Sequence, residues 1–412
     1  MDLKYVLLKD CCSKIGSGAT PKGGKSVYIE KGTSFIRSQN VYNLFFSTKG
    51  LAYINDAAAN KLKGVTVREG DVLLNITGDS VARTCVVPNE VLPARVNQHV
   101  AIIRTNHSLD PYYLNYYLAS PAMQGYLLNI ASTGASRNAI TKGAIEKLSI
   151  PTPSLDVQHR IASILSAYDN LIENNNRRIR LLEQMAENLY KEWFVRFRFP
   201  GHEKAEFENG LPKGWKSIRI KELSQLKSGY AFKSEWFVEE GESVAKIKDI
   251  GGTLMDTSDF SHVDRNNCIK AKRFLLVEGN LTIALTGATI GKISIVPRHD
   301  GNIYTNQRLG KFFMGDNPIE NLPFLYCLFK QEAMASTIIN ISNSSSAQPN
   351  ISPEQIENLK IIGNKEAIAK FNEALKPMFS MILSIHSQNE QLTRQRDLLL
   401  PRLMSGKLEV NI

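Results

Sequence analysis

The chain has 412 residues, 43% of them hydrophobic and 22% charged, which is the make-up of a protein with a sizeable core, and its length suggests two or three domains. No apolar run approaches the roughly 18 residues of a membrane span, and Met1-Asp2-Leu3-Lys4 does not open a signal peptide. Five cysteines without a C-x-x-C spacing, and seven histidines without a ligand-like pair, argue against a disulfide framework or a metal centre and fit a reducing cytoplasm.

The net charge of +10 is a first hint of a polyanion partner. It is unevenly spread. Residues 1–152 carry 17 basic and 10 acidic side chains, whereas 201–362 carry 19 of each. Any binding surface in the second half must come from placement rather than bulk charge.

In chain order, short β-branched and aromatic runs at 34–37, 71–76 and 100–104 are separated by Gly, Asn and Pro signals and read as strands. Helical patterns follow at 111–128 and 141–147. Beyond residue 200 the same order returns, closing with helical patterns at 321–335 and 352–358. Ser352-Pro353 supplies a cap and a first helical residue.

The return is a repeat. Arg68-Glu69-Gly70-Asp71-Val72-Leu73-Leu74-Asn75-Ile76-Thr77-Gly78 recurs as Val277-Glu278-Gly279-Asn280-Leu281-Thr282-Ile283-Ala284-Leu285-Thr286-Gly287, 209 positions on. Pro88 and Pro297 keep that offset, as do Asn97-Gln98 and Asn306-Gln307. Ile140, Ile145 and Ile150 match Ile351, Ile356 and Ile361 at an offset of 211. A unit of about 150 residues therefore occurs twice, and each copy reads as a small α+β module rather than a doubly wound sheet.

A long heptad stretch follows each module. Ile161, Leu165, Tyr168, Ile172, Asn175, Ile179, Leu182, Ala186, Leu189 and Trp193 alternate four and three. Ile368, Phe371, Leu375, Met378, Ile382, Ile385, Asn389, Leu392, Arg396, Leu399 and Leu403 alternate three and four. The narrow seam favours a coiled coil over an ordinary core helix, and Pro377 is expected to kink the second helix. The first helix, at about 1.5 Å per residue, is far longer than the intervening module is wide, so the pair is expected to be antiparallel.

Pairing Ile161 with Leu403 gives residue numbers summing to 564. That register sets Leu165 on Leu399, Ile172 on Leu392, Ile179 on Ile385 and Leu182 on Ile382. It also brings together Asn175 and Asn389, the only asparagines on either seam, and a buried Asn pair fixes register.

Catalytic signatures are sparse. Ala19-Thr20-Pro21-Lys22-Gly23-Gly24-Lys25-Ser26 matches a phosphate loop formally, but its flanks do not read as a buried strand and a following helix. No N-P-P-[YFW] tetrapeptide, G-x-S-x-G elbow or helicase motif is present. The only [DE]-x-K triplet is Asp2-Leu3-Lys4. The chain reads as non-catalytic, with no bound cofactor.

With two modules and two long helices, the sequence resembles the specificity subunit of Type I restriction–modification enzymes along nearly its whole length. The likeness rests on Ile145-Glu146-Lys147-Leu148-Ser149-Ile150-Pro151-Thr152-Pro153 running into Gln158-His159-Arg160-Ile161-Ala162. It also rests on Leu211-Pro212-Lys213-Gly214-Trp215, and on Thr-Gly-x-[Ser/Thr]-[Val/Ile]-[Ala/Gly]-[Arg/Lys] at 77–83 and 286–292. The first module lacks the Leu-Pro-x-Gly-Trp opening.

The resemblance implies an α+β fold. Target recognition domains at 1–153 and 197–362 would be separated by antiparallel coiled-coil helices at 154–196 and 363–412, in pseudo-two-fold symmetry. It further implies that each domain reads half of an asymmetric bipartite site in double-stranded DNA, and that two methyltransferase subunits dock on the helices. S-adenosylmethionine, ATP and Mg would be confined to those methyltransferases and to separate restriction/translocase subunits. The rival reading is a coiled-coil adaptor whose modules bind other proteins.

Base edges are read by Arg, Lys, Asn or Gln, and phosphates by further basic residues. The candidates in the first module are Lys22, Lys25, Arg37, Gln39, Asn40, Arg83, Arg95 and Arg137. In the second they are Lys233, Lys246, Lys248, Lys292, Arg298, Arg308 and Gln348. Asn97-Gln98 and Asn306-Gln307 recur, which suits structural hydrogen bonding better than target reading. Partner docking is expected on outer helix faces, around Arg177, Arg178 and Arg180 or around Trp193-Phe194.

Overall fold

Strand-forming runs in each repeat are short, so neither module can bury its sheets without help from the other elements. A computed structural model describes residues 4–133, 139–343 and 349–410. The chain divides into two compact units, Met1–Glu173 with Gln391–Ile412, and Asn174–Glu390, so each unit holds one module and a portion of both long helices.

In the first unit a four-stranded antiparallel sheet runs in the order Thr84–Val86, Val72–Asn75, Val100–Thr105, Cys12–Ser17. All four residues of Val72–Asn75 are buried, because both faces of this sheet are covered. The two-residue side-chain period divides them. Val72, Leu74, Ala101 and Ile103 join a core with the helical residues Tyr113, Leu114 and Leu127. Leu73, Val100 and Ile102 face the other way, into a core with Ile36, Val67 and Val96.

Those last three residues belong to a five-stranded sheet ordered Tyr28–Ile29, Ala52–Ile54, Thr33–Ile36, Ala94–Val96, Thr66–Val67. Its Thr33–Ile36 and Ala94–Val96 strands are parallel. The ends of the module are tied by Tyr5–Leu7 pairing with Ser149–Pro151.

The second unit repeats this plan with the same strand orders. Gln225–Ser228, Leu309–Phe313, Leu281–Ala284 and Ile293–Ile295 make the four-stranded sheet. In the five-stranded sheet the parallel pair is Glu242–Ala245 with Ile303–Thr305. Lys216–Arg219 pairs with Lys360–Gly363 to tie the module ends.

The helical pattern at 111–128 is two helices, Pro111–Ala119 and Pro121–Thr133. Pro121 forces Ser120 out of the helical region, to ψ 145°, and that ends the first. The pattern at 321–335 is likewise split, into Leu322–Lys330 and Glu332–Asn343, with Gln331 extended between them.

The first long helix is Leu155–Tyr190, continued by one wider turn at Lys191–Val195; the second is Lys365–Met404. The second runs unbroken through Pro377, which is exposed and on the water side of the helix. Glu373, whose carbonyl loses its backbone donor there, is exposed as well, so water can satisfy it.

In the second unit Asn175 Nδ2 donates to Asn389 Oδ1 at 2.9 Å, the pair that the sum of 564 brings together. Further along, the Trp193 and Phe194 rings sit 5.4 and 5.2 Å from Phe371. Rising numbers on one helix thus meet falling numbers on the other, so the two run antiparallel within this unit. In the first unit Arg396 Nη1 donates to Asp169 Oδ1, and Tyr116 OH donates to Asp169 Oδ2, both at 2.5 Å.

The buried face is broader than the expected seam. Phe379, Leu383, Leu400 and Met404 are buried beside the seam positions, because each helix also packs on a module. Leu189 is exposed and Tyr190 is buried in its place, as the first helix turns toward Phe324 and Phe371 of the second unit. Gln158, 1% exposed, accepts from Asp110 N and donates to Pro153 O, pinning the helix start to the first module. Among the described residues no helix is long and apolar enough to cross a membrane.

Candidate nucleic-acid interface

Four chain segments of the first module meet at one edge of its sheets. Gly18 N donates to Val100 O and Ala19 N to Val96 O, which brings the loop after Cys12–Ser17 onto the turn at 97–99. A side chain at residue 18 is impossible there: its Cβ would stand 2.1 Å from Val96 O. Thr20 donates to Gln98 Oε1, Gln98 Nε2 lies 3.0 Å from His99 Nε2, and His99 Nδ1 lies 2.5 Å from Thr77 Oγ1. Ile76 N donates to His99 O, and Asn75 N to Arg83 O, which adds the 77–83 loop. Asn75 Nδ2 then reaches Ser38 O at 2.9 Å and joins the 37–50 hairpin to the same patch.

The second module repeats the frame's backbone bonds one for one. Gly229 N donates to Leu309 O, Tyr230 N to Thr305 O, Leu285 N to Arg308 O and Ala284 N to Lys292 O. Residues 229 and 18 share the same crowding, since a Cβ on Gly229 would meet Thr305 O at 2.2 Å. Ala82 and Gly291 both adopt left-handed backbone, at φ 72° and 78°. Asn97 Oδ1 accepts from His99 N, and Asn306 Oδ1 from Arg308 N, so the recurring asparagines shape the turn in both copies.

What differs is what the frames present. Lys22 and Lys233 are alike, but Arg37 is matched by Lys246, Gln39 by Lys248, Arg83 by Lys292 and His99 by Arg308. Lys22, Lys25, Gln39, Lys233, Lys292, Arg298 and Arg308 are exposed. Arg37 is half-buried, and its Nη2 and Gln39 Nε2 both donate to Gly50 O, at 2.8 and 3.1 Å, which aligns the two side chains. The Arg83 guanidinium lies 4.8 Å from the centre of the Tyr42 ring; Lys292 faces no counterpart ring, because Gly251 stands where Tyr42 does.

Two expected contacts, Asn40 and Arg95, are corrected, while Lys246 and Lys248 are engaged within their own module. Asn40 is fully buried: its Oδ1 accepts from Arg37 N and its Nδ2 donates to Ser47 O, so it builds the hairpin and cannot touch a base. Arg95 is 9% exposed and spends its donors on Ala59 O and Ala94 O, with burial lowering its pKa. Lys246 is half-buried with its ammonium 3.8 Å from the Phe237 ring centre, and burial lowers its pKa too. Lys248 is held by Asp259 at 2.8 Å and Asp249 at 3.3 Å, and these bonds raise its pKa. Arg137 and Gln348 lie outside the described residues.

Trp193 and Phe194 are not a docking face. They are buried against Phe324, Phe371 and Trp215 of the second unit. Arg177, Arg178 and Arg180 are exposed. The 19–26 stretch leads only into the short turn Gly24–Val27 and the strand Tyr28–Ile29, so no long helix start stands behind it.

Sequence reasoning passed over Thr20, Thr77 and His99 in the first module. It also missed Lys227 and Arg273, which line a groove of about 800 Å³ beside Tyr230 in the second. His99 and Arg308 carried a readable signal: a pair that recurs, followed by a residue that does not.

Two copies of one backbone frame, each edged with cations and amides of different identity, define a duplicated-module binding protein. Residues 2–184 and 212–371 match the family described as Type I restriction modification DNA specificity domain, well over half of the chain. The chain is 26% identical over 380 residues to the Type I restriction enzyme MjaVIII specificity subunit of Methanocaldococcus jannaschii, covering 90% of this chain and 87% of that one. It is 23% identical to the HindI specificity subunit of Haemophilus influenzae, covering 91% and 94%. Among solved structures, the S subunit of a Type I restriction-modification system from M. genitalium superposes with a TM-score of 0.60 at 18% identity, covering 98% and 96%. The protein belongs to the Type I restriction–modification DNA specificity family.

Proposed function

We propose that each module reads one half of a bipartite, asymmetric target in duplex DNA through its loop edge, and that the long helices carry two methyltransferase subunits. The observation that carries this reading is the repeated frame. Its backbone hydrogen bonds are the same in both copies, while the side chains it offers differ at the positions suited to base edges. Like frames with unlike side chains are what two different half-sites require.

In the first module Arg37 and Gln39 are the base-reading pair, and Lys22, Lys25 and Arg83 serve the phosphates. In the second, Arg308 and Lys292 read, and Lys233 and Arg298 support. The chain performs no chemical step itself. Methyl transfer from S-adenosylmethionine and ATP- and Mg-dependent translocation and cleavage belong to the methyltransferase and restriction subunits of an intracellular complex.

A salt titration of duplex binding tests the electrostatic part. Log K is expected to fall linearly with log salt, with a slope of about −0.9 for each phosphate neutralised. Binding that is independent of salt would contradict the assignment and favour the adaptor reading.

A further inference from the structure

The two frames share a backbone but are anchored differently. In the first module, among the described residues, the side-chain bonds of the hairpin after Asn40 stay within its own module. Asn43 Oδ1 accepts from Thr84 N at 3.1 Å, Asn43 Nδ2 donates to Gln124 Oε1 at 3.2 Å, and Gln124 Nε2 donates to Ala82 O at 2.9 Å.

In the second module the matched segment, 250–259, is first laid along its sheet. Met255 N donates to Ile295 O at 2.9 Å, Ile295 N to Thr253 O at 2.8 Å, and Ser294 Oγ to Gly252 O at 2.8 Å. It is then fastened to both long helices of the same unit. Thr253 Oγ1 donates to Glu183 on the first helix, and Thr257 Oγ1 donates to Glu390 Oε1 on the second at 3.3 Å. Glu183 is itself held in place by Tyr326 OH at 2.5 Å, and Tyr326 is fully buried.

We propose that Glu183 and Glu390 are positioning residues for the second module's segment 250–259, which is laid on the strand that follows the reading residue Lys292. They couple the spacing of the two long helices in this unit to the loop between Lys248 and its partner Asp259, whereas among the described residues the matched hairpin of the first module makes no side-chain hydrogen bond to either long helix. This inference rests on the DNA-reading function proposed above. The Thr253–Glu183 bond is the short, directional one and the Thr257–Glu390 bond, at 3.3 Å, the longer one, so the loop spanning them follows the first helix closely and the second more loosely when they shift. Occupancy of the helices by a partner then alters reading of the second half-site and leaves the first untouched.

The test uses the full chain with Thr253→Val and Thr257→Val together. These changes remove both hydroxyl donors, keep the side-chain shapes and leave the Tyr326–Glu183 bond intact. Two readouts are compared with the parent chain. Hydrogen exchange at Met255 and Asp256 is expected to quicken roughly tenfold, with Leu44 and Ser47 of the first module unchanged.

Half-site preference is read by selection from randomised duplexes, the second half-site being the one that Arg308→Ala shifts. Preference at that half-site is expected to fall roughly tenfold while the other holds, and restoring Thr253→Ser with Thr257 intact is expected to return it. Unchanged exchange overturns the anchoring. Faster exchange with second-half-site preference intact, or equal loss at both half-sites, overturns the positioning role. A parent chain with no preference at either half-site overturns the DNA-reading account, and with it the functional half of this inference; the exchange readout then still decides the anchoring.

Discussion

Replacing Asn389 by Ala isolates the polar contact at the middle of the helix pair. Asn389 accepts from Asn175 Nδ2 and donates to Asn176 Oδ1, both at 2.9 Å. Asn176 is exposed, so its freed oxygen finds water at little cost, whereas Asn175 is 7% exposed and its amide is left without that acceptor. Stranding a buried donor costs about 1–3 kcal/mol. For a unit of this size that lowers the melting midpoint by about 2–4 °C per kcal/mol. Asn175→Ala is expected to cost a similar amount.

The double variant should cost less than the sum, with a coupling of about 0.5–3 kcal/mol. Replacing both by Leu is expected to be near neutral or stabilising, because a matched apolar pair strands nothing. Urea unfolding of the four proteins, with the slopes compared, measures the cycle. Strict additivity, or a single-variant cost below about 0.5 kcal/mol, would refute a register set by this pair.

Arg104 meets the fully buried Asp71 through two bonds of 2.7 and 2.8 Å, so Arg104→Ala is expected to cost about 3 kcal/mol in denaturant unfolding. Adding Asp71→Asn should recover much of it, since Asn280 fills the same turn in the second module by accepting from Val277 N. Tyr113, Tyr116, Tyr190 and Tyr326 are held protonated chiefly by burial, and Tyr116 and Tyr326 further by Asp169 and Glu183. A raised folded-state pKa means a proton held more tightly folded than unfolded. That stabilisation is complete below the unfolded value of about 10 and is lost as pH rises above it. Unfolding midpoints should therefore drop beyond that pH together with the rise in phenolate absorbance, and a flat profile would contradict the burial. Arg95→Ala is expected to lower stability by about 1–3 kcal/mol without changing half-site preference. Gln39→Ala should do the reverse, costing about 1–3 kcal/mol on the true target alone in competition binding.

The duplication was legible because Gly70, Gly78 and the Asn-Gln turns mark backbone positions that both frames need, and such positions leave matching letters at a fixed offset. The helix register was legible for a related reason: two asparagines on otherwise apolar seams have few places to go. Burial of charged and polar candidates was not. Whether Arg95 lies inside depends on Ala59 O arriving from another element, and Asn40 is sealed in by the hairpin it builds. The exchange of Leu189 for Tyr190 was hidden because a strict heptad assumes that the partner is always the other helix. Here the helix end packs on Phe324 of the second module as well as on Phe371 of the other helix. The break at Ser120 had its signal in Pro121, which the strength of the apolar pattern on either side overrode.

The most direct trial of two-headed reading is selection from randomised duplexes by the chain assembled with its methyltransferase, followed by sequencing. The outcome expected is two short blocks of preferred bases separated by an indifferent stretch, with Gln39→Ala changing one block and Arg308→Ala the other. A single continuous block, or one shifted by both substitutions, would contradict it.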